Sequence, residues 1–171
     1  MKKFILMLSL FLVFVLSCGK GKEFVVKPLN GAQDLAGAAL PDFELKDLNG
    51  KKIKSTKIFK NGKKTLFIVA AEWCPHCREE IPEVQRFYDK NKDKVNVVIV
   101  FTNSRSSLGK AQAYIKENGY TVPAYYDEDG EILRGFDVQG FPFNLKINGD
   151  KVEEELELPV DEDSLTKTFM N

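Results

Sequence analysis

The sequence predicts one α/β domain, and three observations carry that expectation. Two strongly apolar runs, Thr65–Ala71 and Val95–Thr102, are each followed by a stretch that reads as helix. Such runs suit strands covered on both faces, as in a sheet between layers of helices. Asn-Gly pairs at 49–50 and 148–149 mark hairpins at either end of the domain. At 171 residues the chain has room for one domain plus a leader and a short tether.

The folded part is expected to begin at Pro41. In P-D-F-E-L-K-D-L-N-G-K-K-I-K, apolar and polar residues alternate at Phe43, Leu45 and later Ile53, around Asn49-Gly50. T-L-F-I-V-A-A follows as a central strand. A helix is expected from Pro75 to about Tyr88, with Ile81, Val84, Phe87 and Tyr88 on one side and Pro82 bending it. After the strand at 95–102, Ser106 or Ser107 is placed to cap a helix that stops at Asn118-Gly119. Thr121–Tyr126 reads as a short strand and Asp127–Gly130 as a turn. Phe143–Ile147 and Lys151–Leu158 flank the second hairpin, and Val160–Met170 is the closing helix. The order of strands and helices is that of an α/β domain.

The first 20 residues differ in kind. Lys2 and Lys3 precede Phe4–Leu16, a run of 13 residues that is apolar except for Ser9. A spanning helix needs roughly 20 apolar residues, so the run suits a secretory signal instead. It ends V-L-S-C-G, and a small residue just before Cys18 resembles the bacterial lipobox. On this reading residues 1–17 are a lipoprotein signal peptide and Cys18 carries the lipid. Residues 18–40, rich in Gly, Ala and polar groups, form a flexible tether, and residues 41–171 form the domain. A plain signal peptide with an unrelated cysteine is the alternative. Either way the domain lies beyond the cytoplasmic membrane, where disulfides persist.

Composition narrows the function classes. Hydrophobic residues make up 43%, enough for a packed core and too many for wholesale disorder. Lys+Arg and Asp+Glu balance at 25 each, which gives no support for nucleic-acid binding. Lysines crowd residues 51–64 and acids crowd residues 150–163, patterns expected of solvated faces. The lysine face is alternatively placed to touch anionic lipid heads.

The chemistry concentrates in A-E-W-C-P-H-C-R-E-E-I-P, Ala71–Pro82. Cys74 and Cys77 read as a redox pair, a metal half-site or a structural staple. Structural zinc wants four Cys or His ligands, and the chain offers a single His, His76, set between the two thiols. A staple across so small a loop stabilises little. A redox pair accounts for the surroundings. A buried strand runs into Trp73-Cys74, and Pro75 suits the first turn of a helix. Cys74 then sits where free backbone N–H groups favour a thiolate, the attacking form in disulfide exchange. Cys77, one turn on, is placed to resolve the mixed disulfide.

Strand, W-C-P-H-C and bent helix together resemble the thioredoxin superfamily. P-D-F-E-L-K-D-L-N-G-K-K at 41–52, V-P-A-Y-Y-D-E-D-G-E-I at 122–132 and V-Q-G-F-P-F-N-L-K-I-N-G-D-K-V at 138–152 resemble its membrane-anchored TlpA/ResA-like branch, the redoxins. The resemblance covers residues 41–160. It implies a thioredoxin-like fold, a central mixed sheet flanked by helices with an added N-terminal hairpin. It implies a disulfide-forming pair Cys74–Cys77 with no other cofactor and no metal. Pro142 matches the family's cis-proline, which helps to hold an extended substrate chain. Phe141 before it departs from the smaller or β-branched residue usual there, so the groove is expected to differ in shape. Glu80 matches an acidic residue of this branch and is placed to move a proton near Cys77; a solvated helix glutamate is the plain alternative. Trp73 is expected to pack over the site beside the substrate, with a core tryptophan as the plain alternative, and Pro75 is expected there too. Glu72 stands where the family often has Thr or Ser and is assigned no role.

The direction of electron flow has two expectations. The branch implies a reductase of disulfides in envelope proteins, such as apocytochrome c or clients of a repair pathway, recharged by a membrane electron carrier. The Pro-His dipeptide is that of DsbA-type oxidants, in which an imidazole stabilises the reduced form. The two extremes, roughly −270 and −120 mV, differ by about 7 kcal/mol. Reduction is favoured because the resemblance runs the length of the domain and no large helical insertion is present. A peroxidase fits less well, since peroxiredoxin-like proteins place a lone Cys at this junction. From another class, a client-binding lipoprotein with an inactive pair remains as an alternative. A monomer is expected.

Overall fold

The computed structural model describes residues 35–59 and 62–171. The leader, Cys18 and most of the expected tether lie outside the described residues.

Seven strands form one sheet in the order β2-β1-β5-β4-β3-β6-β7. β3 (Lys64–Ala70), β4 (Asn96–Thr102) and β5 (Ala124–Asp127) run parallel. β6 (Phe143–Asn148) lies antiparallel against β3, and β7 (Lys151–Glu155) against β6. The predicted N-terminal hairpin, β1 (Glu44–Asp47) and β2 (Lys52–Lys54), extends the other edge through β5. Gly50 supplies the turn with φ +84°, a conformation glycine adopts at little cost. Asp47 Oδ1 accepts hydrogen bonds from the N–H groups of Asn49 and Lys51, which fixes that turn locally.

Alternate residues of the central strands point to opposite layers. Leu66, Ile68, Val97, Ile99 and Phe101 pack under α2 (Pro75–Asn91), α3 (Leu108–Glu117) and α5 (Glu162–Met170). Phe67, Val69, Val98, Val100, Leu145 and Ile147 face the hairpin and two short helices, α1 (Ser55–Ile58) and α4 (Glu131–Gly135). The mixed sheet covered on both faces is the architecture expected from the sequence.

Several boundaries differ from expectation. α2 runs a turn beyond Tyr88 and holds Pro82 within one continuous helix. Of the two serines expected to cap α3, Ser107 does so, accepting from the Lys110 N–H. The closing helix starts at Glu162, because Asp161 and Ser164 form a reciprocal capping box. α1 and α4 were not expected, being too short to show a period. α4 follows the predicted turn because Asp127 receives the N–H groups of Glu131, Ile132 and Leu133 on one carboxylate.

The tether boundary at residue 40 is corrected. Leu35 and Ala38 are buried in the second core layer. The Gly37 N–H donates to the Val152 carbonyl, the Val152 N–H to Ala38, and the Leu40 N–H to Asp150. Residues 35–40 thus cover the β7 edge, which a long unpaired strand would otherwise leave open. Leu35→Ala is expected to lower stability by about 2 kcal/mol, the low end for a buried leucine. Equilibrium urea unfolding checks this. A tether that merely leads to the domain would give no change.

Candidate functional site

β3 delivers the site. Its last residue, Ala70, leads through Ala71, Glu72 and Trp73 to Cys74, the N-cap of α2. Cys74 has extended backbone geometry, and Pro75 takes the first helical position, where its missing N–H leaves no gap. Cys74 Sγ accepts from the Cys77 N–H at 3.4 Å and donates to the Phe141 carbonyl at 3.5 Å. Both cysteines are free thiols. Cys74 is nearly buried, and Cys77 is fully enclosed behind it. Burial pushes the Cys77 thiol far above its ordinary value, and the Cys74 sulfur and Glu80 carboxylate push the same way. Cys77 therefore needs a base to ionise near neutral pH.

Phe141–Pro142 is a cis peptide, as the resemblance implied. It brings the Phe141 carbonyl to Cys74, and the Phe141 ring meets Trp73 edge to face at 5.9 Å. Trp73 is held further by its indole N–H, which donates to the Ser104 carbonyl at 2.9 Å. The Arg105 guanidinium lies 3.7 Å from the centre of the indole. Arg105 has φ +54°, unusual for a side-chain-bearing residue.

Glu80 is not a solvated helix residue. It is 4% exposed, and Asn144 Nδ2 donates to its Oε1 at 2.9 Å. Loss of solvent raises its carboxyl to about 7, with Asn144 and the Val160 N–H acting against that rise. Glu80 Oε2 and Asn144 Oδ1 have no hydrogen-bond partner in the protein. Glu80 thus stands one helical turn from Cys77, with an affinity matched to proton transfer near neutral pH.

His76 is placed differently from the oxidant expectation. It is 79% exposed, and its Nδ1 lies 3.6 Å from Glu79 Oε2. Among the described residues no hydrogen bond joins it to Cys74. Pro75 lies on the surface beside it. The structure therefore gathers Trp73, Cys74, Cys77, Glu80, Phe141 and Pro142, leaves Pro75 and His76 at the rim, and does not reach Cys18.

Sequence reasoning missed Glu72. It is buried, and its Oε2 accepts from the Ser106 hydroxyl at 2.6 Å, while its carbonyl accepts from Arg78 Nε at 2.6 Å. Ser106 in turn accepts from the Tyr126 hydroxyl. Glu72 ties the 103–107 loop, and with it Arg105, to the pair. A charged residue inside an otherwise apolar strand end was the available signal.

A groove of about 560 Å³ opens beside the pair, between the start of α2, Pro142 and the 158–161 segment. Leu158–Pro159, a second cis peptide, forms its far wall. Among the described residues no helix is long and apolar enough to cross a membrane.

Comparison with known proteins agrees with this architecture. Residues 35–168 match the Redoxin family, and the chain belongs to it. It is 32% identical over 108 residues to the sporulation thiol-disulfide oxidoreductase A of Bacillus subtilis, a match covering 62% of this chain and 64% of that protein. It is 28% identical over 138 residues to the thiol-disulfide oxidoreductase ResA of the same species, covering 80% and 75%. The match spans less than two thirds of the first relative's length. The crystal structure of StoA from Bacillus subtilis superposes with a TM-score of 0.66 at 28% identity, covering 77% of this chain and 97% of that one. The fold is thioredoxin-like.

Proposed function

We propose that this redoxin is a thiol-disulfide oxidoreductase of the bacterial cell envelope that reduces disulfides in other proteins. The observation that carries the reading is the stacking of the two thiols. Cys74 caps α2 beside Pro142 and the groove, while Cys77 lies enclosed one turn behind with a buried carboxyl near it.

In the proposed cycle Cys74, as thiolate, attacks one sulfur of the client disulfide. A mixed disulfide forms, and the other client sulfur leaves and takes up a proton. Cys77 then gives its proton to Glu80 and attacks Cys74 Sγ. The second client sulfur leaves and is protonated, and the Cys74–Cys77 disulfide remains. Two electrons and two protons pass from the pair to the client. No cofactor beyond the pair is invoked. A membrane electron carrier would return the two electrons.

Support for reduction over oxidation comes from His76, whose imidazole sits beside Glu79 rather than bonded to Cys74. The feature that argued for a DsbA-type oxidant is thus not engaged with the sulfur. The names of the Bacillus relatives support thiol-disulfide exchange without giving a direction. The envelope location rests on the leader. Residues 1–17 are removed, and Cys18 holds the domain, as a monomer, to a membrane by its lipid.

Cys77→Ser tests the cycle. The variant lacks the resolving thiol, so envelope proteins should accumulate on Cys74 as adducts released by dithiothreitol. Their absence from membranes would remove the protein-client reading.

A further inference from the structure

The groove beside the pair has a composition that selects its occupant. Its floor and far wall are apolar: Phe141, Pro142, Leu158 and Pro159. Leu158 is 50% exposed, the one large hydrophobic side chain left so open among the described residues. The rim is acidic, with Glu79 and Glu83 on α2 and Asp161 at the end of the 158–161 segment. No lysine or arginine lines the groove among the described residues, and its prolines offer no N–H. Glu83 pairs with Arg86, and Asp161 caps α5. Glu79 is 79% exposed, and among the described residues its ion pair is with the rim imidazole at 3.6 Å. Inside, Glu80 is more than nine-tenths buried, lines the groove and keeps Oε2 without a partner in the protein.

These features agree on one ligand chemistry. An apolar floor with an acidic edge fits a side chain whose stem is hydrocarbon and whose head is cationic. A buried carboxyl oxygen without a partner is left to be satisfied by what enters the groove. An anionic or acceptor-only segment finds neither a cation nor free proline N–H groups here. We propose that the groove seats client segments carrying a lysine or arginine next to the reactive cysteine, the stem on Leu158 and Phe141 and the head toward Glu79. The inference deepens the reductase reading and rests on it. It assigns Glu79 as a specificity-determining residue, although the residue stands outside the electron path.

The test uses the reduced full-length chain in a neutral detergent. The substrates are two disulfide-bridged peptides that differ only in a Lys or Glu beside the cysteine, with a norleucine version as third. At low salt the Lys peptide should exceed the Glu peptide in kcat/KM by about tenfold, and the ratio should fall severalfold at roughly 0.5 M salt as exposed charges are screened. Glu79→Lys should bring the ratio close to one. Because the readout is a ratio within each variant, a general loss of activity does not imitate it. A wild-type ratio near one, a norleucine peptide equal to the Lys peptide, or a ratio unmoved by Glu79→Lys would each overturn the inference. Hydroxyethyl disulfide, small and neutral, separates the two levels. If wild type reduces it while peptide charge has no effect, this inference alone falls. If wild type does not reduce it, both fall.

Discussion

Cys74→Ser should reduce disulfide exchange by at least about a thousandfold, since a serine hydroxyl cannot replace the attacking thiolate. The geometry gives no substitute nucleophile. Cys77 is 0% exposed and lies behind Cys74, so a client disulfide at Pro142 does not reach it. The fold should survive, because Ser is itself a preferred N-cap and can accept from the Cys77 N–H as Cys74 Sγ does. Insulin-disulfide reduction, with circular dichroism as the fold control, measures both parts. A client-binding protein with an inactive pair would instead keep its function in this variant. A residual rate within tenfold of wild type would mean that the pair is not the reacting group.

Glu80→Gln should raise stability in alkaline solution and slow the second half of the cycle. The carboxyl holds its proton up to about pH 7 in the fold, against an ordinary value of 4.5. Below pH 4.5 the group is protonated in both folded and unfolded chains, and burial carries no ionisation penalty. Between 4.5 and 7 the unfolded chain ionises first, so stability falls as pH rises, and the loss is complete above 7. The full loss is about 3 kcal/mol. Gln stays neutral and keeps a partner for Asn144. The variant should therefore match wild type near pH 5 and exceed it by about 1–3 kcal/mol at pH 8. Resolution by Cys77 should slow by about a hundredfold, because burial leaves that thiol dependent on a base. Acid-quenched mixed disulfide should then persist during turnover. A variant less stable than wild type at pH 8, or one that resolves at the normal rate, would contradict the assignment.

What the sequence disclosed and what it hid follow from range. The Asn49-Gly50 turn, the Pro75 start of α2 and the apolar runs of β3 and β4 are set by neighbours in the chain, and local patterns read them. Cys77 and Glu80 lie three residues apart, so helical periodicity already placed them together. The burial that changes the chemistry of Glu80 comes from tertiary packing, and its hydrogen-bond partner Asn144 lies 64 residues away on β6, so no local pattern carries either. Glu72 was unread for the same reason, since Ser106 is 34 residues distant. Pro142 was legible only through family resemblance, because nothing in its neighbours separates cis from trans. Leu35–Leu40 looked like linker because its residues are small, yet small residues are what an edge-covering segment needs to lie against β7. His76 was the opposite case. Its place between the cysteines suggested contact with Cys74, whereas the helix turns the side chain out toward Glu79.

The most direct test of the central claim is the reduction potential of the Cys74–Cys77 pair in the full-length chain. The protein is equilibrated in glutathione and dithiothreitol buffers, and free thiol is counted by mass-tag alkylation. The account predicts a value near or below thioredoxin's, roughly −270 mV, fitting a pair that gives electrons to client disulfides. A value near DsbA's, roughly −120 mV, would contradict it and make the protein an oxidant of envelope thiols.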